Sequence, residues 1–252
     1  MRPISSPPGV WSMSEYLGVI TWNVKGDLST SSTADRRVQD LNGVLAKLAG
    51  KREQPVDFIC LQETSGNSGA LKKALEDAGY TCYALREGDG QGDYYVFAAS
   101  SDFTFDGPPE QCLFEYESPS GSPLRYPAVA KLTRASDGLK VAVYTYHASL
   151  DGGLLEGLVK CSRFAVDAAE SRDFNYVLVL GDLNVTTGYR LFDPNLGKEV
   201  YLLNRLFQGF AGVSENLDHA FCWPDLGLRS IDGGHFTTSS DHKLLYGRFK
   251  IG

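Results

Sequence analysis

Short, nearly unbroken apolar runs alternate along this chain with longer stretches in which apolar residues recur every three or four positions. The first kind has the length and β-branched content of strands buried on both faces. It predicts strands at Leu17–Trp22 and Val56–Glu63, and one that opens at Tyr176 in "YVLVLGDLNV". Further strands are expected at Tyr80–Leu85, in "YYVFAAS" from Tyr94, across "AVAKLTR" and "LKVAVYTYHAS", and at Leu217–Cys222, Leu228–Ile231 and Leu244–Phe249. The second kind predicts a helix carrying Val38, Leu41, Val44, Leu45 and Leu48, with Ser32 and Asp35 as a capping box and Gly50 as its stop. Another long helix is marked by Leu154, Leu155, Leu158, Val159, Phe164, Ala165 and Ala168, and a shorter one is expected at Ala70–Ala78. The Pro- and Gly-bearing region Phe103–Ser122 reads as loops and edge strands.

Two groups of strands, each with a long helix, point to an α/β fold made of two similar halves, with two sheets packed together and helices outside. The expected organisation is a flexible leader over residues 1–16 and a single domain over 17–252, and 42% apolar residues supply enough core for it. The net charge is −7 and no run of five Lys or Arg occurs, which argues against a nonspecific basic groove. Any polyanion would have to be held by a local patch or by metal ions. The five cysteines are odd in number and lack CxxC spacing, so reduced thiols are expected rather than a disulfide framework or a zinc site. No stretch approaches the roughly 20 apolar residues of a membrane span. The start, "MRPISSPPGVWSMSEYLG", has no uninterrupted apolar segment of the secretory kind, so a cytoplasmic location is expected, with leaderless export left open. The oligomeric state is not set by the sequence.

Strand ends carry the chemistry. Asn23, Glu63, His147, Asp182 with Asn184, Asp218, and Asp241 with His242 all fall at or just beyond predicted strands. Any one of them reads most simply as a cap, a turn or a surface charge. Together they form the collection of carboxylates, amides and histidines that hard-metal binding and proton transfer require. Asp182 and Asn184 pose a question of their own, since alternation along an extended chain would aim both to one side. A turn in which they merely bond their own backbone is the plainer alternative.

"TWNVKG", "ICLQET", "GDLNV" and "SDH" resemble, in order and separation, the motif set of the endonuclease/exonuclease/phosphatase superfamily. That resemblance implies a four-layer α/β sandwich of the DNase-I-like kind, with two packed mixed β-sheets flanked by helices. It also implies Mg²⁺ as cofactor, with Mn²⁺ as a possible substitute, held by Glu63, Asn23 and Asp241. A hard cation of this kind takes oxygen ligands. His147 and His242 resemble the family's catalytic histidine pair, Asp218 the aspartate that orients the second histidine, and Asp93 is the candidate to orient His147. Asp182 would orient or deprotonate the attacking water, and Asn184 would donate its amide to a phosphate oxygen. Arg125 resembles a family arginine that contacts a backbone phosphate; an exposed arginine beside a proline is the alternative.

"ICLQET" and "GDLNV" look most like the abasic-site endonuclease branch, whereas the histidine of "YTYHAS" belongs to DNase-I-like nucleases and to the nuclease subunit of cytolethal distending toxin. The inositol-phosphatase branch has a Trp-Cys-Asp-Arg type of motif near Asp218; "LDHAFCWPD" has no matching arginine, and His219 reads as a strand residue, a further phosphate contact being the alternative. The resemblance therefore implies a phosphodiesterase with a nucleic acid substrate, DNA foremost. A phosphomonoesterase acting on phosphoinositides and a non-catalytic binding protein on the same scaffold are the alternatives.

Overall fold

The structure, a computed structural model, describes residues 16–25, 31–50, 56–64, 68–88, 94–114, 125–149, 154–193, 198–224 and 232–251. In chain order the first part contains β1 (Tyr16–Asn23), α1 (Ser31–Ala49), β2 (Phe58–Gln62), α2 (Ser68–Asp77), β3 (Thr81–Arg86) and β4 (Tyr94–Ala99). The next contains β5 (Phe103–Phe105), β6 (Glu110–Gln111), β7 (Ala128–Arg134), β8 (Lys140–Thr145), α3 (Leu154–Ser171) and β9 (Tyr176–Asp182). The last contains β10 (Arg190–Asp193), β11 (Lys198–Tyr201), α4 (Leu202–Leu206), β12 (Ala211–Glu215), β13 (Asp218–Trp223), β14 (Asp232–Phe236) and β15 (Leu244–Lys250).

One sheet runs β14-β15-β1-β2-β4-β3 and the other β12-β13-β9-β8-β7-β5, with β6 also on β7. Each has a parallel pair at its centre, β1 with β2 and β8 with β9, and antiparallel neighbours outside. Parallel strands need a crossover, and α1 and α3 supply it. Three apolar clusters give the layering. Leu17, Phe58, Phe97, Val143, Leu178 and Leu180 fill the space between the sheets. Ile20, Leu41, Leu48 and Leu75 join the first sheet to α1 and α2, while Val179, Leu158, Ala165 and Leu203 join the second to α3 and α4. The result is the expected sandwich of helices, sheet, sheet and helices.

The boundaries shift in informative places. Helix α1 is already under way at Ser31, one residue ahead of the Ser32 expected as its cap; Gly50 does close it, its N–H reaching Ala46 O at 3.1 Å. The strand expected at Leu228–Ile231 lies outside the described residues, and β14 follows directly at Asp232. The leader expected at the N-terminus lies outside them as well, apart from Tyr16. Five free cysteines fit the expectation of reduced thiols, and among the described residues no helix is long and apolar enough to cross a membrane.

Because β1 and β2 run parallel and β15 runs against them, the C-terminal ends of β1 and β2 and the N-terminal end of β15 lie at one end of the first sheet. The same holds in the second sheet for β8 and β9 against β13, where Asp182 pairs with Asp218. Buried polar contacts align the two ends. Gln62, fully buried on β2, donates to Thr145 Oγ1 on β8 at 3.0 Å and to Thr21 Oγ1 on β1 at 3.1 Å.

Candidate active site

Asn23, the last residue of β1, is buried and gives its amide to both sheets. Its Nδ2 donates to Glu63 Oε1 at 3.2 Å and across the sandwich to Asp182 Oδ2 at 2.9 Å, while its Oδ1 accepts the Lys25 N–H at 2.9 Å. Glu63 follows β2 with φ of 50°, a left-handed conformation that costs a non-glycine residue roughly 1–2 kcal/mol. Two contacts pin it there: its N–H donates to Glu87 Oε1 at 2.6 Å, and the next N–H, of Thr64, reaches Tyr94 O at 3.2 Å.

The stretch after β9 combines both readings of Asp182 and Asn184. Asn184 has φ of 52°, so simple alternation ends at Asp182 and the pair is not arranged as two successive outward residues of a strand. Its N–H donates to Asp182 Oδ1 at 2.9 Å, a side-chain turn, which leaves Asp182 Oδ2 to face the site. The Asn184 amide donates to Ala148 O. Gly181 explains why the motif begins with glycine: a Cβ there would stand 2.1 Å from Tyr146 O. The bare backbone lets the segment beyond β8 run alongside β9, with Ala148 N–H on Asp182 O at 2.9 Å, and this brings His147 next to Asp182.

His147 is buried between two carboxylates. Its Nδ1 lies 2.9 Å from Glu87 Oε2 and its Nε2 lies 3.0 Å from Glu63 Oε1 and 3.9 Å from Asp182 Oδ2. The Tyr95 hydroxyl accepts its backbone N–H at 3.1 Å. Arg125 Nη1 is 2.8 Å from the same Nε2, so the arginine expected to meet phosphate rests on this histidine, bracing it beside Glu87. Asp93 lies outside the described residues. The carboxylate on His147 Nδ1 is Glu87, one residue beyond β3, which the sequence reading passed over. The available signal was the one used elsewhere, an acid just past a predicted strand.

His242 repeats the arrangement from the opposite side. Its Nδ1 lies 3.0 Å from Asp218 Oδ2 and its Nε2 3.7 Å from Asp182 Oδ2. Burial, the largest influence, disfavours the imidazolium, but the Asp218 hydrogen bond and the charges of Asp218, Asp182 and Asp241 outweigh it and raise the pKa above 6.5. Burial pushes Asp218 up to about 6 against the pull of His242. His219, the next residue on β13, does not reach this group. It spans Ser214 Oγ and Val185 O, each at 2.7 Å, and burial holds its pKa down to about 4, as befits the strand residue expected.

Asp241 sits on the rim. Its Oδ2 pairs with Lys25 Nζ at 2.9 Å; burial works against its charge, but the Lys25 contact holds its pKa below the usual value.

Two groupings could hold a divalent cation. Asp182, Asp218 and His242 can each offer a ligand atom within 4.8 Å of one another, and Asp218 Oδ1 is buried with no hydrogen-bond partner among the described residues. Glu63 makes the other case. Arg125 can donate to His147 Nε2 only if that nitrogen is bare, whereas the Glu63 carboxylate beside it asks for a proton there. A cation on Glu63 would remove that demand, so the donor set fits a hard metal at Glu63, with Asn23 beside it. Asp241 could join only by releasing Lys25.

A family model described as the Endonuclease/Exonuclease/phosphatase family matches residues 20–242. An endonuclease/exonuclease/phosphatase family protein from Bacteroides thetaiotaomicron superposes with a TM-score of 0.64 at 13% identity, over 94% of this chain and 98% of that one. D. rerio TDP2 complexed with single strand DNA product gives 0.62 at 18%, over 93% and 98%. The mannosyl-6-phosphatase of B. thetaiotaomicron gives 0.62 at 14%, over 92% and 98%. At such identities the likeness concerns the fold. No curated protein sequence matches the chain. With the family model running from β1 to His242 itself, the chain belongs to the endonuclease/exonuclease/phosphatase family of phosphoester hydrolases.

Proposed function

We propose that this protein is a divalent-metal-dependent phosphodiesterase that hydrolyses nucleic acid, DNA foremost. One observation carries the reading: two histidines, each with its own carboxylate on Nδ1, bring Nε2 close to the same oxygen, Asp182 Oδ2, at 3.9 and 3.7 Å. Cleaving a phosphodiester requires a proton taken from attacking water and a proton given to the leaving oxygen, and this arrangement offers both on either side of one carboxylate. Asp182, held in place by Asn23 Nδ2 and the Asn184 N–H, orients the water and draws off its proton together with His147. His242, whose proton is held by its acidic neighbours, donates to the leaving oxygen. Asn184 offers its remaining amide N–H to a phosphate oxygen, and Arg125 would meet the phosphate from beside His147. A divalent cation at Glu63, joined by Asp241 once Lys25 is released and by Asn23 only with its amide turned to present Oδ1, would neutralise charge on the phosphate.

TDP2 crystallised with single strand DNA product supports a nucleic acid substrate, and the mannosyl-6-phosphatase of equal TM-score keeps a phosphomonoester as the second reading. Incubating purified protein with supercoiled plasmid, single-strand DNA, abasic duplex, RNA and phosphoinositides, each in Mg²⁺ and in chelator, separates them. Internal DNA cleavage in Mg²⁺ alone is expected. Release of inorganic phosphate with intact strands would replace the first reading with the second.

A further inference from the structure

The ammonium of Lys25 reaches the acidic rim of the site, 2.9 Å from Asp241 Oδ2. Both partners are more than half exposed, and an ion pair of that kind contributes little to stability. Stability therefore does not account for its position.

The backbone beneath it is held with care. Arg37 of α1 is 6% exposed, and its Nη2 donates to Lys25 O at 3.0 Å while its Nη1 donates to Ser239 Oγ at 2.6 Å. Asp40, on the same helix, accepts the Ser239 N–H at 2.7 Å. Ser240 Oγ donates to Asn23 O and accepts the His242 N–H, each at 3.2 Å. Although its Nε has no hydrogen-bond partner among the described residues, the two Nη atoms of this desolvated guanidinium stitch the loop after β1 to the loop before β15. Lys25 and Asp241 hang from these two loops, beside Asn23 and His242. Fixed backbone under a freely exposed ammonium is the build of a residue that swaps one anionic partner for another.

We propose that Lys25 binds substrate phosphate, held at the mouth by Asp241 until an anionic phosphate oxygen takes that carboxylate's place. The inference deepens the phosphodiesterase reading and rests on it. An ammonium with three rotatable donors can follow a phosphate through its reaction, and in a chain of net charge −7 it supplies attraction where the substrate enters.

The test is titration of inorganic phosphate into the protein in Mg²⁺, read by calorimetry, together with KM and kcat on a single-strand oligonucleotide. Lys25→Met should weaken phosphate binding and raise KM by about fivefold to tenfold, the scale of one charge-assisted contact in a half-exposed place, with kcat nearly unchanged. Lys25→Arg should restore both to within about twofold. Phosphate affinity and KM unmoved in Lys25→Met would overturn the assignment. A wild type that binds phosphate through Lys25 but cleaves no phosphodiester would keep it and sink the phosphodiesterase reading; cleavage with phosphate binding indifferent to Lys25 would do the reverse.

Discussion

His147 and His242 approach Asp182 from opposite sides, and each is tied to a carboxylate that belongs to the other sheet. His147 follows β8 of the second sheet and bonds Glu87 from the end of β3 in the first; His242 precedes β15 of the first and bonds Asp218 from β13 in the second. Their surroundings differ. The His147 side chain is 3% exposed, and its Nε2 is already contested by Glu63 and Arg125, whereas the His242 side chain is 15% exposed and, among the described residues, its Nε2 meets Asp182 alone, at a loose 3.7 Å. One motif thus stands in two environments, an embedded histidine wedged among its neighbours and a more open one, and the proposed reaction assigns the proton donor to the second. Each pair also needs both sheets, so the chemistry exists only when the sandwich is assembled.

If this division is right, the largest effects come from the rings themselves. His242→Ala and His147→Ala should each slow DNA cleavage by roughly 10² to 10⁴ fold, the range for a positioned acid or base, measured as single-turnover rates. An alanine at His147 that cleaves at the wild-type rate would make that histidine a structural bystander and end the comparison. Next come the metal positions. Glu63→Ala should raise the Mg²⁺ needed for half-maximal rate by about 10 to 100 fold, and Asp241→Ala by less, since the latter carboxylate is shared with Lys25. Full activity of Glu63→Ala at limiting Mg²⁺ would contradict the placement of the cation.

The orienting carboxylates sharpen the contrast. Asp218→Asn and Glu87→Gln should each cost about tenfold or somewhat more. They should differ in pH dependence. A raised pKa means that His242 keeps its proton to above 6.5, so activity falls as pH rises through that folded value. Removing the Asp218 charge lowers that value, so in Asp218→Asn the basic limb of the kcat profile should move to lower pH. In Glu87→Gln that limb should stay in place, and its movement there would mean that His147 is the proton donor.

No effect on rate is expected at Asp57, a buried carboxylate without a histidine partner among the described residues, which immediately precedes β2 while the site lies beyond that strand's far end. Burial, against the Gly18 N–H donated to Oδ2 at 2.8 Å, pushes it up to about 7. The folded protein therefore prefers it protonated, and its contribution to stability is intact below about 4 and lost as pH rises through about 7, by up to about 4 kcal/mol. Denaturant unfolding at pH 5 and pH 8 should show more than half of this loss in the wild type, pH 5 lying already inside the window, and much less of it in Asp57→Asn.

The core of the fold was legible because its strands and helices are strongly patterned. The runs at Leu17, Val56 and Tyr176 are fully buried β1, β2 and β9, and the apolar stripe of α1 faces the first sheet; in α3 Leu158 and Ala165 face the second sheet, while Leu155 and Val159, expected in the same stripe, are exposed. The β10–β11 hairpin, α4 and β12 were not, being short and half exposed, and in β14 "DGGHF" conceals a strand behind two glycines. At the site the motifs marked the residues but not their backbone. Positive φ at Glu63 and Asn184 depends on hydrogen bonds from elsewhere in the chain, so alternation misplaced Asn184. Glu87 and Asp93 adjoin Arg86 and Tyr94, which face each other across the β3–β4 pair. Sequence alone had no means to choose between two acids at the ends of one loop.

The central claim is that both histidines serve one transition state around Asp182. A double-mutant cycle on DNA cleavage tests it most directly, with wild type, His147→Ala, His242→Ala and the double variant compared in single-turnover rates under saturating Mg²⁺. Groups that act as a unit lose their joint contribution once, so the double variant should be slower than the slower single variant by less than about tenfold. Losses that multiply would show two independent roles and contradict the account.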